Sequence, residues 1–342
     1  MSKFMDCGIQ CWRSQKRKKM LRQSYSAQYA FVGVGGHALQ NLYPVLQYFG
    51  IRLKYICCKS PGKLPFVERR FGVTATTSLD TILNDSEVKG VFVCTSPQLH
   101  YEICIRVMAS GKFLFVEKPP CRTLEQLDNM IRVDRRQTVM TGMQKRYSPL
   151  TQTLKEHLSK TEAISYTLSY HTGAYPEGDS FTDLFIHPVD LASYLFGDAK
   201  VRATRWTDGK GTTTVQSLLS HREVNGVIEM STAYSWAHPE ESLRVNTMSG
   251  EYRLEQMERL LHYPHPRKIA GIPVEKLGLF TASEQMLMGR NNFTPLIMNN
   301  QLYTQGFFSE IKAFADMVEH SGKNLSPLSS MRNTYGMLEL MK

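Results

Sequence analysis

The sequence predicts an α/β unit, with a doubly wound and mostly parallel sheet, followed by an α+β unit of antiparallel strands. Three observations carry this reading. Up to about residue 150, short apolar, β-branched runs alternate with helical segments. Beyond it, strand patterns follow one another with little helix between them. Glycines also cluster where the first strand meets the first helix.

Taken in order, "YAFVGVG" (29–35) reads as the first strand, followed by a helical stretch to Phe49 and a second strand, "RLKYICC" (52–58). A helix over 64–71 leads to the short run "GVTAT", and "SLDTILND" (78–85) begins on a candidate cap, Ser78. "GVFVCTS" (90–96) is the next strand, "QLHYEICIRVMAS" (98–110) a helix stopped at Gly111, and "KFLFVEK" (112–118) another strand. A helix over 123–136 and a strand, "TVMTGMQ" (138–144), complete the alternation.

The second unit reads as strands at 163–173, 200–209, 213–222, 227–236 and 241–248, with "VNGV" and "MSGEY" as turns. One helix, 181–197, interrupts them, and helices near 308–320 and 328–341 end the chain. The expected division is a flexible basic tail over 1–27, the α/β domain over 28–147 and the antiparallel domain over 148–342.

Charge and cysteine usage exclude several classes. The net charge is +10, yet residues 1–28 hold seven basic residues and one acid, leaving +4 for the rest. A run of this kind is a solvated segment, and no nucleic-acid module accompanies it. No stretch approaches the ~20 apolar residues of a membrane helix, and the N-terminus lacks the order of a secretory signal. Seven cysteines without a CxxC pair point to buried thiols in a reducing compartment, with no metal site. The expectation is a cytoplasmic protein that binds neither nucleic acid nor membrane.

"FVGVGGHALQ" sets Gly33, Gly35, Gly36, His37 and Ala38 at the first strand–helix junction. Read as G-x-G-x-x-A, its first glycine permits the tight turn and its second admits a pyrophosphate. Small Ala38 lets helix and strand pack closely. "TSPQLH" (95–100), with Thr95, Ser96, Pro97 and His100, follows a long apolar strand and so belongs at the carboxyl edge, where ligands bind. "FVEKPP" (115–120) puts Glu117 and Lys118 on the same rim. On the helix 181–197, Asp183, His187 and Asp190 are spaced to share one face, and the flexible "GAYPEGDS", with Tyr175, precedes them.

With these motifs in place, the chain from about residue 28 onward resembles the glucose–fructose oxidoreductase / inositol dehydrogenase (Gfo/Idh/MocA) family. "VGVGGHA", "SPQLHYEICIRVMASGKFLFVEKPP", "GMQKRYSP" and "DLFIHPVDLASYLFG" carry the resemblance. It implies a Rossmann domain, a second domain on a large open antiparallel sheet, and a homodimer or homotetramer. It also implies NAD(P)-dependent transfer of hydride at a secondary alcohol or ketone of a sugar, polyol or related small molecule. Carried over, Lys118, Asp183 and His187 are catalytic and contact substrate, and Asp190 supports the helix. His100 and Glu117 lie near the nicotinamide. Arg146 and Tyr147 line the substrate pocket, with Tyr175 on its rim. A cofactor-binding regulator without turnover is the alternative; retention of the proton-transfer set weighs against it.

The second strand ends without an acid: no Asp or Glu occurs between Gly36 and Lys63, and Cys58 is followed by Lys59 and Ser60. A carboxylate there would bond a ribose 2′-hydroxyl and repel a 2′-phosphate. Its absence, with Lys59 and Ser60 in place, predicts NADP as the preferred cofactor over NAD.

Overall fold

The computed structural model describes residues 11, 14–15, 25–278, 284–290 and 297–342, so the expected basic tail falls almost wholly outside the described residues. Six strands form the first sheet: β1 (Gln28–Val32), β2 (Arg52–Cys57), β3 (Thr74–Thr76), β4 (Val88–Val93), β5 (Phe113–Glu117) and β6 (Val139–Gly142). Their order is β3-β2-β1-β4-β5-β6, with parallel pairing throughout. Helices on both faces bury these strands, which is why they read as continuous apolar runs. The order reverses between β1 and β4, and the loops after those strands part to open a crevice.

The second sheet holds β7 (Ala163–His171), β8 (Lys200–Gly209), β9 (Thr212–Ser220), β10 (Asn225–Ser231), β11 (Glu240–Thr247), β12 (Gly250–Glu255) and β13 (Arg259–Pro264). After a two-stranded excursion, β14 (Lys268–Ile269) and β15 (Ile272–Pro273), it closes with β16 (Gln285–Met288). Its order is β16-β13-β12-β11-β7-β10-β9-β8, antiparallel except where β7 and β10 run parallel. Burial alternates along β9 and β12, as expected of a sheet covered on one face.

The chain then returns to the first sheet. The helix Phe307–Glu319 sets Phe314 against Phe92 and Phe115, at ring separations of 4.9 and 5.8 Å. This C-terminal helix therefore belongs to the core of the first unit, far from it in sequence.

Several expectations need correction. The sequence reading stops the second sheet at residue 248, yet β12, β13 and β16 extend it. "MSGEY" is a hairpin turn, with Gly250 at φ +134°. "VNGV" is not: Asn225 and Gly226 open β10, and a Cβ on Gly226 would come 2.0 Å from the Tyr166 ring. Ser78 starts its helix without a side-chain cap bond.

The expected helix 181–197 is two helices, Ser180–Asp183 and Ile186–Phe196. Pro188 has no N–H to offer the Leu184 carbonyl, so one continuous helix cannot be sustained there. Asp183 therefore lies on a different helix from His187, and the shared-face argument fails for that pair.

Candidate active site

At the β1–β4 crevice, Gly33 adopts φ +118°, and a Cβ on it would come 1.9 Å from the Cys94 carbonyl oxygen. Only glycine lets the two strand ends approach this closely. A Cβ on Gly35 or Gly36 would meet no atom within 4 Å, so bare backbone faces the open crevice. This cradle fits the pyrophosphate of a dinucleotide.

The crevice is a cavity of about 570 Å³. Gly33, Gly35, Gly36, His37, Lys59, Ser60, Thr95 and Ser96 line it, as the sequence predicts. Ala38 is fully buried beneath the loop, in its packing role. Lys63 and Arg106 line the cavity as well, so three cations face it, and no Asp or Glu is among its described lining residues. Arg106 was not foreseen, although a signal was available. Leu99, Ile103 and Arg106 recur at helical spacing on Pro97–Ala109, and all three reach the cavity. Arg106 Nη2 also donates to Asp80 Oδ1 at 2.6 Å.

His100 is a strut beneath the rim. Its Nδ1 meets the Pro119 carbonyl at 2.7 Å and its Nε2 the Thr95 carbonyl at 3.1 Å, tying the loops after β4 and β5 together. Burial lowers its basicity. Neither nitrogen is left to face a nicotinamide. Pro97 lies outside the cofactor cavity and, with Asp183, lines a separate recess of about 390 Å³.

Glu117, at the end of β5, is buried 3.3 Å from His37 Nε2 and accepts from the Lys118 backbone N–H at 3.2 Å. Burial alone would push its carboxyl up; the charges of His37 and Lys118 outweigh this and hold it below its usual range. Lys118 Nζ donates at 2.6 Å to the backbone carbonyl of Asp183, not to its carboxylate. Burial lowers the Lys118 pKa, opposed by Glu117 and Asp183. The bond from Lys118 ties the first unit's rim to the break between the two helices.

His187 is buried, and no hydrogen bond to its ring occurs among the described residues. Burial drives its pKa well below the ordinary imidazole value, and the charges of Lys118, Lys145 and His37 add to this. The ring is thus neutral and free to accept a proton. The Asp183 carboxylate makes no bond to it. Burial raises the Asp183 pKa against the pull of Lys118.

Arg146 and Tyr147 are committed elsewhere. Arg146 forks onto Asp190, Nε to Oδ2 at 2.8 Å and Nη2 to Oδ1 at 2.5 Å, and its Nη1 donates to the Leu325 carbonyl and Ser330 Oγ. The Tyr147 hydroxyl accepts from the Leu325 N–H at 2.9 Å and pairs with Ser326 Oγ at 3.1 Å. These bonds bind the segment Gln144–Tyr147 to the C-terminal region. Both residues were expected at the substrate pocket; here their polar atoms are held by these internal bonds.

Their neighbour Lys145 makes different contacts. It is buried, pairs with Glu241 and lies 4.8 Å from the centre of the Tyr170 ring, near enough to Lys118 and His187 for its charge to act on both. Tyr175 stands beside Asp183, whose charge helps to raise its pKa, second to burial.

The fold and cavity define a dinucleotide-binding α/β protein with a second, sheet-based unit. Residues 27–144 match a family described as "Oxidoreductase family, NAD-binding Rossmann fold". Among curated proteins, the inositol 2-dehydrogenase/D-chiro-inositol 3-dehydrogenase of Lactiplantibacillus plantarum is 23% identical over 52% of this chain and 55% of its own length. The chain spans about half the length of the curated relatives it matches, 55% and 50% for two of them. A dehydrogenase from Chromobacterium violaceum has the same fold, with a TM-score of 0.78 at 19% identity over 93% of this chain and 94% of that one. Levoglucosan dehydrogenase, solved with NADH and levoglucosan, gives a TM-score of 0.75 at 16% identity over 92% and 96% of the two chains. The match to the Gfo/Idh/MocA family thus extends over the first unit, residues 27–144.

Proposed function

We propose that the protein is an NADP(H)-preferring oxidoreductase acting on a CH–OH group of a sugar, polyol or related small molecule. The observation that carries this is the convergence of buried Lys118, tied to the Asp183 carbonyl, and a neutral, unbonded His187 beside the glycine-lined crevice. A bound nicotinamide would supply the hydride acceptor. His187 takes the hydroxyl proton, and Lys118 steadies the oxygen as negative charge develops on it. Residues 28–147 hold the cofactor and 148–342 offer the substrate, in a cytoplasmic homo-oligomer. Assaying sugars and polyols for nicotinamide reduction tests the reading; binding of cofactor with no turnover across such a panel would favour a regulator.

The cofactor preference follows from the wall of the cavity. Lys59, Lys63 and Arg106 offer charge to a 2′-phosphate, and the carboxylate that would repel it is absent from the described lining. NADPH should bind more tightly than NADH, and Lys59→Ala should narrow that difference by about tenfold, the loss of one charge-assisted contact. Titration followed by nicotinamide fluorescence decides this, and tighter binding of NADH by the unaltered protein would overturn it.

The segment 172–180 borders the cleft and leads into Ser180–Asp183. Trp236 Nε1 donates to its Ala174 carbonyl at 2.8 Å and the Tyr234 N–H to its Thr172 carbonyl at 3.0 Å, so two rim loops are joined at its start. With two glycines and little to bury, the segment is suited to closing over substrate. Its amide hydrogen exchange should slow when a turned-over substrate saturates the protein; an unchanged rate would remove the lid.

A further inference from the structure

Beside the reacting centre, on the far side of Lys145, lies a cavity of about 420 Å³. Its character is opposite to that of the cofactor crevice. Glu240, Glu241 and Glu258 line it, and no Lys or Arg is among its described lining residues. Gln256, Gln301 and Gln305 add carboxamides that can donate and accept hydrogen bonds. Trp236, 52% exposed, lies at its edge and offers an aromatic surface. Its link to the centre is short: Glu241 pairs with Lys145, whose charge reaches Lys118 and His187.

Taking the cleft to oxidise a sugar hydroxyl, as read above, we propose that this cavity is a second subsite, which holds the non-reacting ring of an uncharged glycoside. The chemistry of the lining selects this class. Carboxylates and carboxamides together serve a ring whose every hydroxyl both donates and accepts. A flat aromatic side chain covers the ring's apolar C–H face. Volume agrees: 420 Å³ lies within the range of small-molecule pockets and is ample for one pyranose. Charge disfavours the alternatives. Glu241 is paired with Lys145 and Glu258 with Arg290, which leaves Glu240, 3.4 Å from His171 Nδ1, as the carboxylate that opposes a sugar phosphate or a uronate. The loop carrying Trp236 is anchored on Ala174, so a ring seated there would also brace the rim segment 172–180.

The experiment compares cellobiose, maltose and lactose with glucose and galactose on the full chain with NADP. It uses both turnover and the fluorescence of Trp236, with Trp236→Phe as the blank for that signal. At least one disaccharide is expected to exceed its parent monosaccharide in kcat/KM by tenfold or more and to change the Trp236 emission saturably. Trp236→Ala and Gln305→Ala should each reduce that advantage several-fold, and glucose 6-phosphate and glucuronate should gain nothing from the subsite. Saturable emission changes without any turnover would support the subsite while overturning the proposed activity. Turnover of monosaccharides with no disaccharide advantage and no emission change would overturn the subsite and leave the activity standing. Tighter binding of the phosphorylated or acidic sugars would overturn the assignment to uncharged glycosides.

Discussion

His187→Ala is expected to lower kcat by about 10²–10⁴-fold, the range for loss of a general acid–base group, while NADPH binding changes little. The ring stands beside Lys118, outside the residues that line the cofactor cavity, so its removal strikes proton transfer and spares the dinucleotide. Lys118→Ala should fall in the same range, for loss of charge stabilisation at the reacting oxygen. The sign of the pH dependence follows from burial. Only the neutral ring accepts a proton, and burial, then Lys118, Lys145 and His37, hold its pKa well below the usual imidazole value. Alcohol oxidation should therefore stay level as pH falls through the ordinary imidazole range and decline only below it. Because a protonated ring is needed in the opposite direction, carbonyl reduction should gain as pH falls. Near-normal turnover in His187→Ala, or an oxidation rate that halves near the ordinary imidazole pKa, would remove His187 from the role of base.

The parts of this site that were legible in the sequence are those whose chemistry is local. The Gly33–Ala38 turn declares itself because the backbone there has one steric solution, and a single strand–helix junction contains it all. Lys118 declares itself because the strand before it fixes the rim on which it lies. What stayed hidden depends on contacts distant in sequence. Arg146 reads as a free cation near a pocket; Asp190, 44 positions on, and Ser330, 184 positions on, consume it. Lys145 drew no role because Glu241 and Tyr170 come from the second sheet. The break after Asp183 was present in the sequence, since Pro188 forbids the bond a continuous helix needs. Apolar periodicity across 181–197 masked it. Strands β12 and β13 were missed for another reason. "GEYRLE" alternates cleanly, but its charges on the solvent face resemble a loop when the partner strand is unknown.

The buried Arg146–Asp190 pair carries the largest expected effect on stability. Both side chains are almost wholly enclosed, and the fork between them is completed by Ser330 Oγ and the Leu325 carbonyl on the arginine and by Thr334 Oγ1 on Asp190 Oδ1 at 2.8 Å. Four separate stretches of chain meet at this point: Gln144–Tyr147, Ile186–Phe196, the run around Leu325 and the helix Met331–Met341. Removing one partner strands a charge in a buried site, at a cost of about 3–5 kcal/mol. Arg146→Ala should therefore lower the unfolding free energy by that amount, measured as a shift of the denaturant midpoint at unchanged slope. Arg146→Met combined with Asp190→Leu should recover a good part of the loss, since an enclosed apolar pair leaves no bare charge. The resemblance to the family places Arg146 in the substrate pocket, whereas its bonds place it in the scaffold, and the same variant separates the two. A scaffold residue costs stability first, and KM follows only as the fold loosens. A folded, fully stable Arg146→Ala protein with a raised KM would return the guanidinium to the substrate.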